Sequence, residues 1–138
     1  MCLLFYKIIK NNNNLIMEKE EFENIDIIKE FSNYIRTKNY SVNTYMSYIN
    51  DLYYFYMFIQ KDLTSVNEDD IRKYLEYLNS KKEKATSVRR KISSFKTFYK
   101  YLYLNNYMDK KDYPLVKIAY PKLEKKLPKF VYYNDLLE

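Results

Sequence analysis

KATSVRRKISSFKTFYKYL, residues 84–102, is the stretch that decides the fold. Its apolar side chains fall at Val88, Ile92, Phe95, Tyr99 and Leu102. Steps of four, three, four and three place them on one face of a helix. At about 100° per residue, Arg90, Ser93 and Thr97 lie opposite, with Arg89 and Lys100 on one flank and Ser94 on the other. Thr86 or Ser87 is placed to cap the first backbone N–H groups. One face is built for burial, and the other carries guanidinium, ammonium and hydroxyl groups. Such an open face suits a DNA major groove. An ordinary solvated surface is the plainer reading of this helix alone.

The same spacing recurs upstream. A helix is expected from Ile25 to Lys38, capped by Asn24, with Ile27, Ile28, Phe31, Tyr34 and Ile35 inward. A second runs from the cap Ser41 to Ile59, burying Tyr45, Tyr48, Leu52, Phe55 and Ile59, while Asn43, Ser47, Asp51 and Tyr54 face elsewhere and Thr44 sits at the stripe's edge. A third follows Asn67 to about Ser80, with Glu68, Asp69 and Asp70 in its first turn, suited to the positive end of the helix dipole. Ile71, Tyr74, Leu75 and Leu78 form its stripe. With the helix at 84–102, this makes an all-α, four-helix arrangement. The chain has no Gly and 3 Pro, and tight hairpins that need φ > 0 are hard to build without Gly. Its 138 residues allow one compact domain plus tails, and 18 Tyr with 8 Phe imply an aromatic core.

Formal net charge is +6 and the pI about 9.1. Its distribution says more than its sum. Residues 17–30 carry six acids against two lysines, whereas residues 77–102 carry eight basic groups against Glu83 alone. Positive charge gathered at the head of one helix points to a polyanionic partner. Asn43, Thr44 and Ser47, at the start of the Ser41 helix, are further candidates for phosphate or base contacts. Solvated helix-start residues are the plainer reading of those three. The single cysteine, Cys2, forbids an internal disulfide, and the chain has no His. A zinc site of the usual kind and a His-based relay are thereby excluded. Without Gly there is no glycine-rich phosphate loop. No cofactor, metal or small-molecule substrate is expected.

The two ends differ from the middle. Residues 1–16, MCLLFYKIIKNNNNLI, hold an apolar run too short to span a bilayer and no cleavage site of the secretory kind. They are expected to be a disordered or non-native extension, with Met17 as the natural start. Residues 17–113 would form the domain. From Pro114 to Pro128 the prolines favour an extended linker. Asn134 begins what looks like another helix before the chain stops at Glu138.

In this order, SVNTYMSYINDLYYFYMFI (41–59), LTSVNEDDIRKYLEYL (63–78), KATSVRRKISSFKTFYKYLYLNNY (84–107) and PKLEKKLPKFVYYNDLLE (121–138) resemble the N-terminal core-binding domain of tyrosine recombinases of the Xer and phage-integrase type. The resemblance covers residues 25–138. It implies a SAM-like bundle forming half of a clamp on double-stranded DNA, with the starts of the Ser41 and Lys84 helices facing the major groove. By position, the implied contacts are Asn43, Thr44 and Ser47 on one helix. On the other they are Lys84, Thr86, Ser87, Arg89, Arg90, Ser93 and Lys96. Residues 114–138 would be the interdomain linker and the opening of a catalytic domain that this chain lacks.

The family's chemistry lies in that second domain, so the chain is expected to be cytoplasmic, membrane-free and non-catalytic by itself. Other recombinase protomers would be further partners. If about five phosphates are neutralised, log K should fall with log salt at a slope near −4 to −5. Arg90→Ala should weaken binding without unfolding the domain, provided that side chain is exposed. The alternative is a helical protein-interaction module that uses exposed Tyr to dock a partner.

Overall fold

The computed structural model describes residues 8–11 and 14–123. The element order is β1 (Ile8–Asn11), β2 (Asn14–Met17), α1 (Lys19–Glu23), α2 (Asp26–Thr37), α3 (Val42–Ile59), a 3-10 turn (Leu63–Ser65), α4 (Glu68–Ser80), α5 (Ala85–Leu104) and a second 3-10 turn (Lys110–Asp112). The four expected helices are α2 to α5. The hub is α3, which touches α1, α2, α4, α5 and β2.

Each helix buries part of the stripe its spacing dictates, while Ile27, Tyr34, Tyr45, Tyr48, Ile59, Leu75 and Val88 are only partly buried against the core. Ile28, Phe31 and Ile35 of α2, Leu52 and Phe55 of α3, Ile71, Tyr74 and Leu78 of α4, and Ile92, Phe95, Phe98, Tyr99 and Leu102 of α5 share one core. Aromatic rings join the layers. The Phe55 ring lies 4.8 Å from Phe95 and 5.1 Å from Tyr74, linking three helices. Phe31 meets Phe98 edge-on at 5.0 Å. Tyr99 is fully buried and donates its hydroxyl to the Leu63 carbonyl at 2.8 Å, which satisfies its one polar group inside the core.

Capping agrees with expectation at two helix starts and departs from it at two. Ser41 Oγ accepts from the Thr44 N–H at 3.2 Å. At α4, Asn67 and Asp70 exchange side-chain and backbone bonds in a capping box. At α2 the cap is Ile25, not Asn24, because Asn24 already closes α1 and takes its backbone bonds there. At α5 the cap is Lys84, with no side-chain bond, so Thr86 and Ser87 lie inside the first turn instead of before it.

Asp70 also pairs with Lys61 Nζ at 2.6 Å. Burial opposes its charge, but the Lys61 ammonium and the Asn67 N–H outweigh burial and hold the carboxyl below the usual carboxylate range. With the folded-state pKa depressed, this stabilisation is complete above the unfolded value near about pH 4 and is lost as pH falls through the folded value. Urea midpoints measured from about pH 5 to about pH 2 should therefore drop more steeply for the natural chain than for Asp70→Asn. Parallel profiles would refute the assignment.

Helix ends show what a chain without Gly does. Asn39, Gln60, Lys82 and Asn106 all take left-handed backbone angles, φ 57 to 65°. After α4, the Glu83 N–H reaches the Leu78 carbonyl and the Lys82 N–H reaches the Asn79 carbonyl. After α5, Tyr107 and Asn106 repeat the pattern with Leu102 and Tyr103. Both are Schellman closures, in which glycine ordinarily fills the left-handed position.

Two features enlarge the bundle. The antiparallel ribbon β1–β2 pairs Ile8, in the expected extension, with Met17, the expected start of the domain. Met17 is buried, and its carbonyl accepts from the Tyr53 hydroxyl at 2.6 Å. Beyond α5, residues 114–117 turn and 118–123 run without regular structure. Leu115 and Ile118 sink into the core, so the expected linker begins as part of the bundle. The remainder of that linker, from 124, and the helix start expected at 134–137 lie outside the described residues. Among the described residues, no helix is long and apolar enough to cross a membrane.

Candidate nucleic-acid interface

The first turns of α3 and the first half of α5 lie side by side. Asn43, Thr44, Ser47 and Tyr48 from α3 and Arg90 and Ser93 from α5 line one concavity of about 310 Å³. Helical spacing puts Asn43 and Ser47 one turn apart on α3, and Arg90 and Ser93 one turn apart on α5. Their meeting depends on the packing of α3 against α5. Asn43 and Arg90 are exposed, and Thr44, Ser47 and Ser93 are half-buried. Thr44 Oγ1 also lies 3.0 Å from Ser41 Oγ, so one candidate hydroxyl is shared with the helix cap. Burial pushes the Tyr48 phenol up, partly offset by its hydrogen bond with Thr97. Tyr48 therefore remains a neutral donor and acceptor in this wall.

Beneath the concavity sits a buried carboxylate. The Asp51 side chain is 2% exposed, against 43% for Arg90. Arg90 donates Nε to Asp51 Oδ2 at 3.1 Å and Nη2 to Oδ1 at 2.8 Å. Ser94 Oγ, whose single hydrogen is shared with the Lys91 carbonyl at 2.8 Å, lies 3.2 Å from Oδ2, and Lys91 Nζ stands 3.7 Å from Oδ1. Asp51 thus does not face away from the core, as expected; it lies within the packed α3–α5 seam. Arg90 is exposed, as the expectation for Arg90→Ala required, but its pairing with Asp51 makes it part of the seam, so truncation should also cost stability. Hydrogen bonding to Asp51 raises the Arg90 guanidinium further above its usual value.

Arg89 and Lys96 occupy the neighbouring flank of α5, each half-buried. Both lie against the ring of Tyr120, with the Arg89 guanidinium carbon 4.9 Å and Lys96 Nζ 4.2 Å from its centroid. Arg89 Nη1 also donates to the Pro121 carbonyl at 2.8 Å. The Tyr120 hydroxyl is 3.3 Å from Ser93 Oγ, at the rim of the concavity. These two cations hold the segment after α5. Lys84 and Thr86 are exposed and Ser87 half-buried at the head of α5, outside the lining of the concavity.

The structure therefore brings five of the ten candidates into one hollow: Asn43, Thr44, Ser47, Arg90 and Ser93. It places Arg89 and Lys96 beside the hollow, and Lys84, Thr86 and Ser87 at the helix head. Sequence reasoning missed Asp51, Tyr48 and Tyr120. Asp51 carried only a weak signal: at about 100° per residue it falls about 40° beyond Phe55, at the edge of the apolar arc. Among the described residues, no group of three or more His, Cys, Asp or Glu could hold a metal ion.

An all-α bundle with a basic, hydroxyl-rich seam between two helix starts is the class that fold and site define. Residues 28–106 match the family of the phage integrase N-terminal SAM-like domain, and the chain belongs to that family. It is 38% identical over 115 residues to tyrosine recombinase XerC of Leptospira interrogans (strain Fiocruz L1-130), a match covering 80% of this chain and 36% of that protein. Against tyrosine recombinase XerC of Staphylococcus aureus (strain USA300) the identity is 39% over 104 residues, covering 72% and 34%. The chain thus spans about a third of the length of the curated relatives it matches. No solved structure matches it.

Proposed function

We propose that this chain is a double-stranded-DNA-binding, core-binding module of a tyrosine recombinase of the Xer type, working in the cytoplasm and holding DNA without reacting with it. The observation that carries this reading is the convergence of Asn43, Thr44, Ser47, Arg90 and Ser93 in one hollow beside Arg89 and Lys96. Lys84, Arg89 and Lys96 would meet phosphates, with Thr86 and Ser87 as hydroxyl donors at the head of α5. The Asp51 carboxylate offsets the Arg90 charge, so about three net phosphate contacts replace the five expected from sequence.

The test is fluorescence anisotropy with a labelled duplex over a range of salt. Three neutralised phosphates give a slope of log K on log salt of about −2.7, a loss of about fortyfold between 50 and 200 mM. The triple variant Lys84→Ala, Arg89→Ala, Lys96→Ala should bring the slope close to zero. A natural chain that binds no duplex at 50 mM salt, or binds with no salt dependence, would overturn the assignment.

A second reading is favoured by one surface. Tyr54, Met57, Phe58, Tyr74 and Tyr77 line a groove of about 680 Å³ between α3 and α4, with Tyr54 54% exposed. Its exposed aromatics, Tyr54 and Tyr77, favour a protein partner, such as another recombinase protomer. Salt-insensitive association with a protein, with no DNA binding, would favour this reading over the first.

A further inference from the structure

We propose that Arg90 reads guanine in the major groove and that Asp51 is its positioning residue. This rests on the DNA-binding reading above and adds the base recognised and the device that recognises it.

A guanidinium has two edges that can make paired hydrogen bonds. Asp51 takes the Nε–Nη2 edge, at 3.1 and 2.8 Å. The end-on edge, formed by Nη1 and the second Nη2 hydrogen, has no partner among the described residues. Arg90 lines the hollow shared with Asn43, Ser47 and Ser93, and with its Nε–Nη2 edge taken by the buried carboxylate, the end-on edge is the one left for a ligand. Two parallel donors match the N7 and O6 acceptors of guanine. Adenine sets its N6 amino group against one of them and is disfavoured.

Fixation decides whether the readout is sharp. A lone surface arginine loses rotamer freedom when it binds. Arg90 is already held by Asp51, whose Oδ2 also lies 3.2 Å from Ser94 Oγ and whose Oδ1 lies 3.7 Å from Lys91 Nζ. The pair is close to neutral, so Arg90 contributes direction more than charge. Base preference and salt dependence should therefore separate, the first residing in Arg90 and the second in Lys84, Arg89 and Lys96.

The experiment selects duplexes bound by the full chain at low salt from a random-sequence pool, followed by sequencing. The expected result is one position at which guanine is preferred over the other bases by about tenfold to a hundredfold. Replacing that guanine by 7-deazaguanine, which lacks the N7 acceptor, should reduce binding. Arg90→Lys keeps a cation on Asp51 but loses the paired donors; it should flatten the preference while the salt slope persists. Asp51→Asn should also relax the preference without lowering the slope, a pattern that general loss of structure would not produce. Duplex binding with no guanine-preferring position, or a preference unchanged in Arg90→Lys, overturns the inference while leaving the DNA-binding reading intact. A natural chain that binds no duplex removes both.

Discussion

Arg90→Ala is expected to destabilise the fold by about 3 kcal/mol, the low end of the range for removing one partner of a buried ion pair. The variant strands a carboxylate that is 2% exposed. Two of its hydrogen bonds vanish, and what remains is Ser94 at 3.2 Å and Lys91 at 3.7 Å. Lys91 also stands 3.8 Å from Glu83, so it cannot serve Asp51 undivided. The low end applies because the Arg90 side chain is 43% exposed and its removal lets water in. Urea unfolding followed by far-ultraviolet circular dichroism measures the loss. The double variant Asp51→Leu, Arg90→Met should recover most of it, since an apolar pair of similar volume leaves no charge uncompensated. A loss below about 1 kcal/mol would show that water solvates Asp51 in the folded state.

Phe95→Ala is expected to cost about 3–5 kcal/mol, the usual range for emptying a core aromatic site. Phe95 is fully buried, with its ring 4.8 Å from Phe55 and 5.9 Å from Tyr74. Its removal opens a cavity where α3, α4 and α5 meet, and deletes ring–ring contacts worth about 0.5–1.5 kcal/mol each. A domain of this size holds only about 5–15 kcal/mol in all, so the variant should melt far below the natural chain in calorimetry. Phe95→Leu, which keeps most of the volume, should recover part of the loss. A Phe95→Ala chain that melts within a few degrees of the natural one would mean that the three helices collapse into the gap.

The contrast between these residues shows what was legible in the sequence. Phe95, Tyr99 and Leu102 were readable because burial of a helix face follows a local period. Ser41 and Asn67 were readable as caps because the bonds they make span three residues. Asn24, Thr86 and Ser87 were misassigned because several polar residues cluster at one helix start and the packing of neighbours chooses among them. The candidate surface was only half legible. Spacing along α3 and along α5 proposed Asn43, Ser47, Arg90 and Ser93 separately, but their approach comes from packing between helices. The partners of the cations lie farther still: Arg90 finds Asp51 39 positions away, and Arg89 reaches Pro121 32 positions away. No local period carries such pairings, so the cations read as uniformly available when two of them clasp Tyr120 and one is tied to Asp51.

The left-handed helix ends have a corollary for stability. An L-residue in that conformation costs about 1–2 kcal/mol, with asparagine among those that tolerate it best. Asn39 and Asn106 carry the burden lightly, and Gln60 and Lys82 carry more. Glycine at either of the latter would release part of it, although at Gln60 it would also remove the side-chain bond to the Met57 carbonyl. These helix ends are thus places where stability can be added, enough to offset a moderately harmful change elsewhere in the chain.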